Sequence, residues 1–169
     1  HIKVTNQTSI ECAHLLENGQ VDFIITNYPN SGLSNTQNIR MINEFHDVFV
    51  ADRDRFPLEG KKLSLQELQK YPILMLDRKS TTSEFLHRMF QRSQLDLVPE
   101  IELSSNDLLI DLARIGLGIA FVPDFCIPKD EKQLYVLDLE ESLPARQMVV
   151  AYNENLPISQ AARQFMDML

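Results

Sequence analysis

Apolar positions along the chain follow two periods, and the two alternate. Apolar runs of strand length occur at residues 21–26 (Val-Asp-Phe-Ile-Ile-Thr), 47–51, 73–76, 119–122, 134–137 and 147–152, with shorter candidates at 2–6 and 100–103. Between them, apolar residues spaced three and four apart predict helices. One runs over residues 8–18, opened by Thr8-Ser-Ile-Glu11 in the form of a capping box and closed by Gly19. A second covers 64–70, where Ser64-Leu-Gln-Glu67 repeats that form and Tyr71-Pro72 ends it. A third follows Ser83 with Phe85, Leu86, Met89 and Phe90 on its apolar side. Ser104-Ser-Asn106 caps a fourth over 107–115, which carries Leu108, Leu109, Leu112 and Ile115, and a last helix covers about 159–169. Residues 28–38, rich in Asn, Ser and Gly, read as a loop, and Asp52-Arg-Asp-Arg55 as a charged turn. The run at 21–26 is too continuous for a one-sided strand, so burial on both faces is expected. Strand, helix and strand over 2–26 predict a parallel pair with a crossover helix. The chain is α/β.

Composition narrows the function. With 169 residues, 44% hydrophobic and 24% charged, the chain can bury a core without disulfides or a structural metal. Sixteen basic against 24 acidic residues give a net charge of -8, the wrong sign for gripping phosphates, so no nucleic acid is bound by this chain alone. Cys12 and Cys126 lie far apart among apolar neighbours and read as reduced thiols of a cytoplasmic protein. No run of eighteen apolar residues is present, so no membrane span is predicted. Residues 1–7 resemble neither a signal peptide nor a translation start, and a piece of a longer protein is expected.

Catalytic chemistry finds no support. His1, His14, His46 and His87 have no partner at ligand or triad spacing, and His87, beside Arg88, reads as solvated. No Gly-x-Ser-x-Gly elbow, His-Glu-x-x-His or Cys-x-x-Cys is present. The pairs Glu140-Glu141 and Asp130-Glu131 read as solvated charge. Gly116 and Gly118 follow a helix and precede a strand, the reverse of a dinucleotide fingerprint, and read as a helix C-cap and tight turn. Neither an enzyme, a metal nor a cofactor is expected.

Four segments in order, Leu16-Glu-Asn-Gly-Gln-Val-Asp-Phe-Ile-Ile25, Leu65-Gln-Glu-Leu-Gln-Lys-Tyr-Pro-Ile73, Glu102-Leu-Ser-Ser105 and Ile115-Gly-Leu-Gly-Ile-Ala-Phe-Val-Pro123, resemble the effector-binding domain of LysR-type transcriptional regulators over the whole chain. The resemblance implies a fold like type II periplasmic solute-binding proteins, with two Rossmann-like α/β subdomains joined by two crossing segments. Subdomain I would comprise residues 1–47 and 148–169, subdomain II residues 48–147, with crossings along 47–54 and 147–152. The family's first strand and helix, and the winged helix-turn-helix before them, have no counterpart in this sequence. The implied function is to bind a small-molecule effector in the cleft between subdomains and so control DNA binding by the full-length protein, as a homodimer or tetramer in the cytoplasm, with no membrane contact. Pairing would use the first strand and the 107–115 helix, with Leu108 and Ile115 on the surface. A transport solute-binding protein of the same fold, or an enzyme on it, are the alternatives.

Ligands of α/β sheets lie at the carboxyl ends of parallel strands, where helix N-termini present free N–H groups to anions. Asn6-Gln-Thr-Ser9 and Ser80-Thr-Thr82 sit at such junctions. Ser and Thr there serve equally as plain N-caps, and the family position adds a ligand role for Thr8, Ser9, Ser80, Thr81 and Thr82. Val122 and Pro123 match a segment that lines the family's cleft. A carboxylate effector calls for a guanidinium, and Arg146 is the candidate, the alternative being a surface ion pair with Glu140 or Glu141.

Overall fold

The computed structural model describes residues 2–35 and 37–169. In chain order its elements are α1 (Ser9–Glu17), β1 (Phe23–Tyr28), β2 (Gln37–Phe45), β3 (Asp47–Asp52), β4 (Lys62–Leu63), α2 (Leu65–Leu68), β5 (Ile73–Leu76), α3 (Thr81–Arg92), β6 (Ile101–Leu103), α4 (Asn106–Arg114), β7 (Ile119–Pro123), a 3-10 turn (Asp124–Cys126), β8 (Leu134–Val136), β9 (Asp138–Leu139), β10 (Arg146–Asn153) and α5 (Gln160–Met166). They form two compact units, unit 1 from the segment ending at Glu44 and from Arg146–Leu169, unit 2 from Phe45–Ala145. The stretches read as crossings lie mainly within strands, β3 in unit 2 and β10 in unit 1.

Unit 2 is built on a five-stranded sheet in the order β6-β5-β7-β3-β8. β5 runs parallel to β6 and β7, while β3 is antiparallel to β7 and β8. Side chains alternate across a strand, and here both sides are buried. Phe49, Ile73, Met75, Ile119 and Phe121 join Leu86 and Phe90 of α3 in one apolar cluster. Val50, Leu74, Ala120 and Val122 join Leu109, Ile110 and Ala113 of α4 in another. This accounts for the unbroken apolar runs in the sequence. The turn into β7 needs its two glycines: Gly116 has φ +76°, and a Cβ on Gly118 would lie 2.6 Å from the Pro72 carbonyl oxygen. Ser64 and Glu67 form the reciprocal capping box expected of them.

Unit 1 has a three-stranded sheet, β1-β10-β2, with β1 antiparallel to β10. α1 covers one face, its Ala13 and Leu16 clustering with Ile24 of β1 and Ala151 of β10. On the other, Phe165 of α5 stacks on Phe23 with ring centroids 5.8 Å apart. Four expectations are corrected in this unit. Residues 2–6 form no strand: a strand exists only by pairing, and Ile2 and Val4 are exposed with no ladder beside them among the described residues. The parallel pair around the first helix therefore gives way to the antiparallel β1–β10 ladder. The run at 21–26 starts two residues later and is not buried on both faces, since Ile24 and Thr26 are buried while Ile25 is 41% exposed. The loop read over 28–38 hides the start of β2, an edge strand whose mostly exposed residues give no apolar period.

Candidate functional site

In unit 2, β5, β6 and β7 end at one edge of the sheet, because all three are mutually parallel. The helices that follow β5 and β6, namely α3 and α4, therefore start at that edge. Ser80 caps α3, its hydroxyl accepting from the Ser83 N–H at 3.0 Å and donating to the Asp77 carbonyl at 3.0 Å. Thr81, Thr82 and Ser83 form the first turn and are each 1% exposed. Ser105 caps α4, accepting from the Leu108 N–H at 3.3 Å. Val122 and Pro123 close the same edge at the end of β7, with Val122 in the core and Pro123 opposite Asp47 of β3. Arg78 and Lys79, in the loop between β5 and α3, are exposed. Two helix N-termini, each with its first N–H groups and partial positive charge, thus share an edge with a set of hydroxyls. Such an arrangement can hold an anion.

Thr8, Ser9 and Arg146 belong to unit 1. Thr8 caps α1, accepting from the Glu11 N–H at 3.4 Å. The Ser9 carbonyl accepts from the Asn30 amide at 2.8 Å, and the same amide donates to the Thr26 hydroxyl at 3.0 Å. Thr26 and Asn30, each 5% exposed, were not singled out from the sequence. The signal available was Thr26 at the polar end of an apolar run with an Asn four residues on. Arg146 opens β10 next to Gln147, which pairs with Tyr28 at the end of β1, so Arg146 lies at the sheet end that carries the α1 N-terminus. It is 3% exposed, so it is not a surface residue, and Glu141 accepts from the Leu65 N–H at 3.1 Å. A guanidinium buried to this degree is held where its charge is strongly felt.

Two further residues depart from the sequence reading. Glu131 is not solvated: its side chain is 9% exposed and accepts from Arg114 at 2.7 Å and from the N–H groups of Gln133 and Leu134 at 2.8 and 3.1 Å. Burial acts to raise its carboxyl, but these donors together outweigh it and hold the group at about 2. His87 is half-buried, with Nδ1 3.0 Å from the Ser83 carbonyl and Nε2 enclosed. Both cysteines are unpaired, and burial, reinforced by Asp107, Asp47 and Asp124, pushes the Cys126 thiol up to about 11, so it is no nucleophile at neutral pH. Among the described residues, no group of three or more His, Cys, Asp and Glu could hold a metal, and no helix is long and apolar enough to cross a membrane.

This architecture is that of a type II periplasmic-binding-protein-like effector domain. The regulatory domain of Synechocystis CcmR, solved in complex with 2-PG, superposes with a TM-score of 0.83 at 23% identity, covering 95% of this chain and 77% of that one. The effector-binding domain of QuiR in complex with shikimate gives 0.80 at 18%, covering 95% and 75%. Across residues 1–169 the sequence matches the LysR substrate binding domain, and the chain belongs to that family. It is 28% identical to the HTH-type transcriptional activator CmpR of Synechocystis over 91% of its length and 51% of that protein's. It is 25% identical to the RuBisCO operon transcriptional regulator of Allochromatium vinosum over 97% and 54%. The chain thus spans about half the length of the curated relatives it matches.

Proposed function

We propose that this domain senses a small carboxylate-bearing metabolite for a LysR-type transcriptional regulator, the anion lying at the N-terminus of α3. The observation that carries the reading is the edge of unit 2 where α3 and α4 both begin, with Ser80, Thr81 and Thr82 buried in the first of these turns. Each helix N-terminus favours an anion by about 0.3–1 kcal/mol before direct hydrogen bonds are counted. Thr8, Ser9 and Arg146 belong to the same proposal as effector contacts, Arg146 as the guanidinium that neutralises the carboxylate. Val122 and Pro123 would shape the site without donating to it.

Binding acts on transcription only through differential affinity for two conformations, passed to a DNA-binding region outside these residues. The same proposal includes a homodimer or tetramer in the cytoplasm. α4 supports pairing, since Leu108 and Ile115 are 48% and 66% exposed while Leu109, Ile110 and Ala113 face the core. Shikimate and 2-PG, bound by the two structural neighbours, are the first probes.

A thermal-shift screen of small carboxylates, each beside its uncharged amide, tests the reading. A true effector at a hundred times its dissociation constant stabilises the domain by about 2.7 kcal/mol. The amides should leave the melting temperature unchanged, and Thr81→Val should weaken the shift. Carboxylate and amide acting equally would contradict an anion site.

A further inference from the structure

β2 (Gln37–Phe45) ends the sheet of unit 1, so one side of its backbone has no strand beside it among the described residues. Such an edge is a template for pairing with another chain, and short strands, prolines and lysines are the usual ways of blunting it. β2 uses none of these: it is nine residues long, against about 5–6 for a common strand, with no Pro, Gly or Lys. Ile39, Arg40, Met41, Asn43 and Glu44 are exposed. Arg40 and Glu44 stand on one face because side chains alternate, but four residues of strand hold them about 13 Å apart, too far to pair with each other. Among the described residues neither has an ion-pair partner, and the single N–H that Arg40 donates to the Met166 carbonyl leaves most of its five donors for other use. Two copies of this strand laid antiparallel about a two-fold axis, Ile42 opposite Ile42, bring each Arg40 opposite the partner's Glu44. No other two-fold register does so. Opposite charges facing across an antiparallel pair stabilise it, and like charges destabilise it. The edge is therefore complementary to itself in charge as well as in backbone.

We propose that β2 is an interface between two copies of this chain, which pair antiparallel edge to edge so that β1-β10-β2 continues into the partner's β2-β10-β1 as one sheet. Arg40 and Glu44 set its register, forming two symmetric ion pairs on either side of Ile42. The edge belongs to unit 1 and is separate from the pairing through α4 of unit 2, so a chain that uses both two-fold contacts assembles beyond a dimer.

Disulfide trapping of the whole chain with copper phenanthroline, read on non-reducing gels, tests the proposal. Directly opposed residues have Cα atoms about 4.5–5.5 Å apart, within disulfide reach, so I42C should cross-link two copies. I39C should not, because its own counterpart lies about 20 Å along the partner strand. In the I42C background, E44R and R40E each set like charges opposite one another and should slow trapping about tenfold. Mixing those two variants, or combining both changes in one chain, restores opposite charges and should restore trapping. Arg40 also ties β2 to α5, so circular dichroism checks that R40E keeps its fold. Leu108→Glu should leave the trapping unchanged. Three results would overturn the interface: I42C trapped no faster than I39C, trapping unmoved by E44R, or a mixture as slow as either variant alone. Loss of trapping in Leu108→Glu would overturn its independence from α4.

Discussion

Unit 2 holds its sheet between two apolar clusters, one on each face, whereas unit 1 holds a narrower sheet with one small cluster and a set of polar ties. In unit 2 the central strands β5, β7 and β3 place most of their side chains in these clusters, so stability comes from burial. In unit 1, Asn30 ties β1 and α1 together, Arg40 ties β2 to α5, and Asp22 accepts from the Ser159 N–H at the head of α5. A hydrogen bond adds only about 0.5–1.5 kcal/mol net, while a buried Leu or Phe side chain adds about 1.5–3. Unit 2 is therefore the more stable scaffold, and the polar unit is the one that opens first.

The largest expected effect is in unit 2. Phe121, fully buried with Phe49 at 4.6 Å and Phe85 at 6.4 Å between ring centroids, should cost about 3–5 kcal/mol as Phe121→Ala in urea unfolding. Leu16→Ala removes the largest fully buried side chain of unit 1 and should cost about 2–5 kcal/mol. Hydrogen exchange should place that loss in unit 1, with α1, β1 and β10 amides exchanging faster while β5 and β7 keep their protection. Equal acceleration in both units would break the comparison by showing one cooperative fold.

Glu131 offers a smaller effect with a pH signature. Its folded carboxyl sits at about 2 against an ordinary 4.5, so it contributes stability that is fully present above pH 4.5 and is lost as pH falls toward 2. Glu131→Gln should destabilise by about 1–3 kcal/mol at neutral pH and flatten the acid limb of the stability profile in that window. An unaltered acid limb would remove the Arg114–Glu131 pair from the account. Of similar size is Asn30→Ala, which should cost about 1–3 kcal/mol for its bonds to Ser9 and Thr26 together, seen as a lower unfolding midpoint with an unchanged denaturant slope.

The same contrast explains which parts of the fold were legible in the sequence. β3, β5 and β7 announce themselves as apolar runs because both their faces are covered, and α2 and α4 announce themselves through Ser64 and Ser105 caps. β2 does not, since an edge strand with exposed Ile39 and Met41 satisfies its backbone on one side and needs no apolar period. Residues 2–6 mislead for the converse reason, having alternating apolar residues but no neighbouring strand among the described residues. At the candidate site, the caps Thr8 and Ser80 followed from local spacing. Thr26 and Asn30 did not, because their bonds join segments up to 21 residues apart. The burial of Glu131 depends on Arg114, 17 residues earlier, which no charge run reveals.

The central claim is that an anion binds where α3 begins. Calorimetric titration of a carboxylate that passes the thermal screen, into the unaltered domain and into the Thr81→Val and Thr82→Val variants, tests it most directly. Both variants keep the shape of the side chain and remove one hydroxyl from a buried turn. Loss of a hydrogen bond to a charged ligand should weaken binding by about 1.5–3 kcal/mol, roughly ten- to a hundredfold, in at least one of them. Affinity unchanged in both, with the fold intact, would contradict the claim and move the effector away from α3.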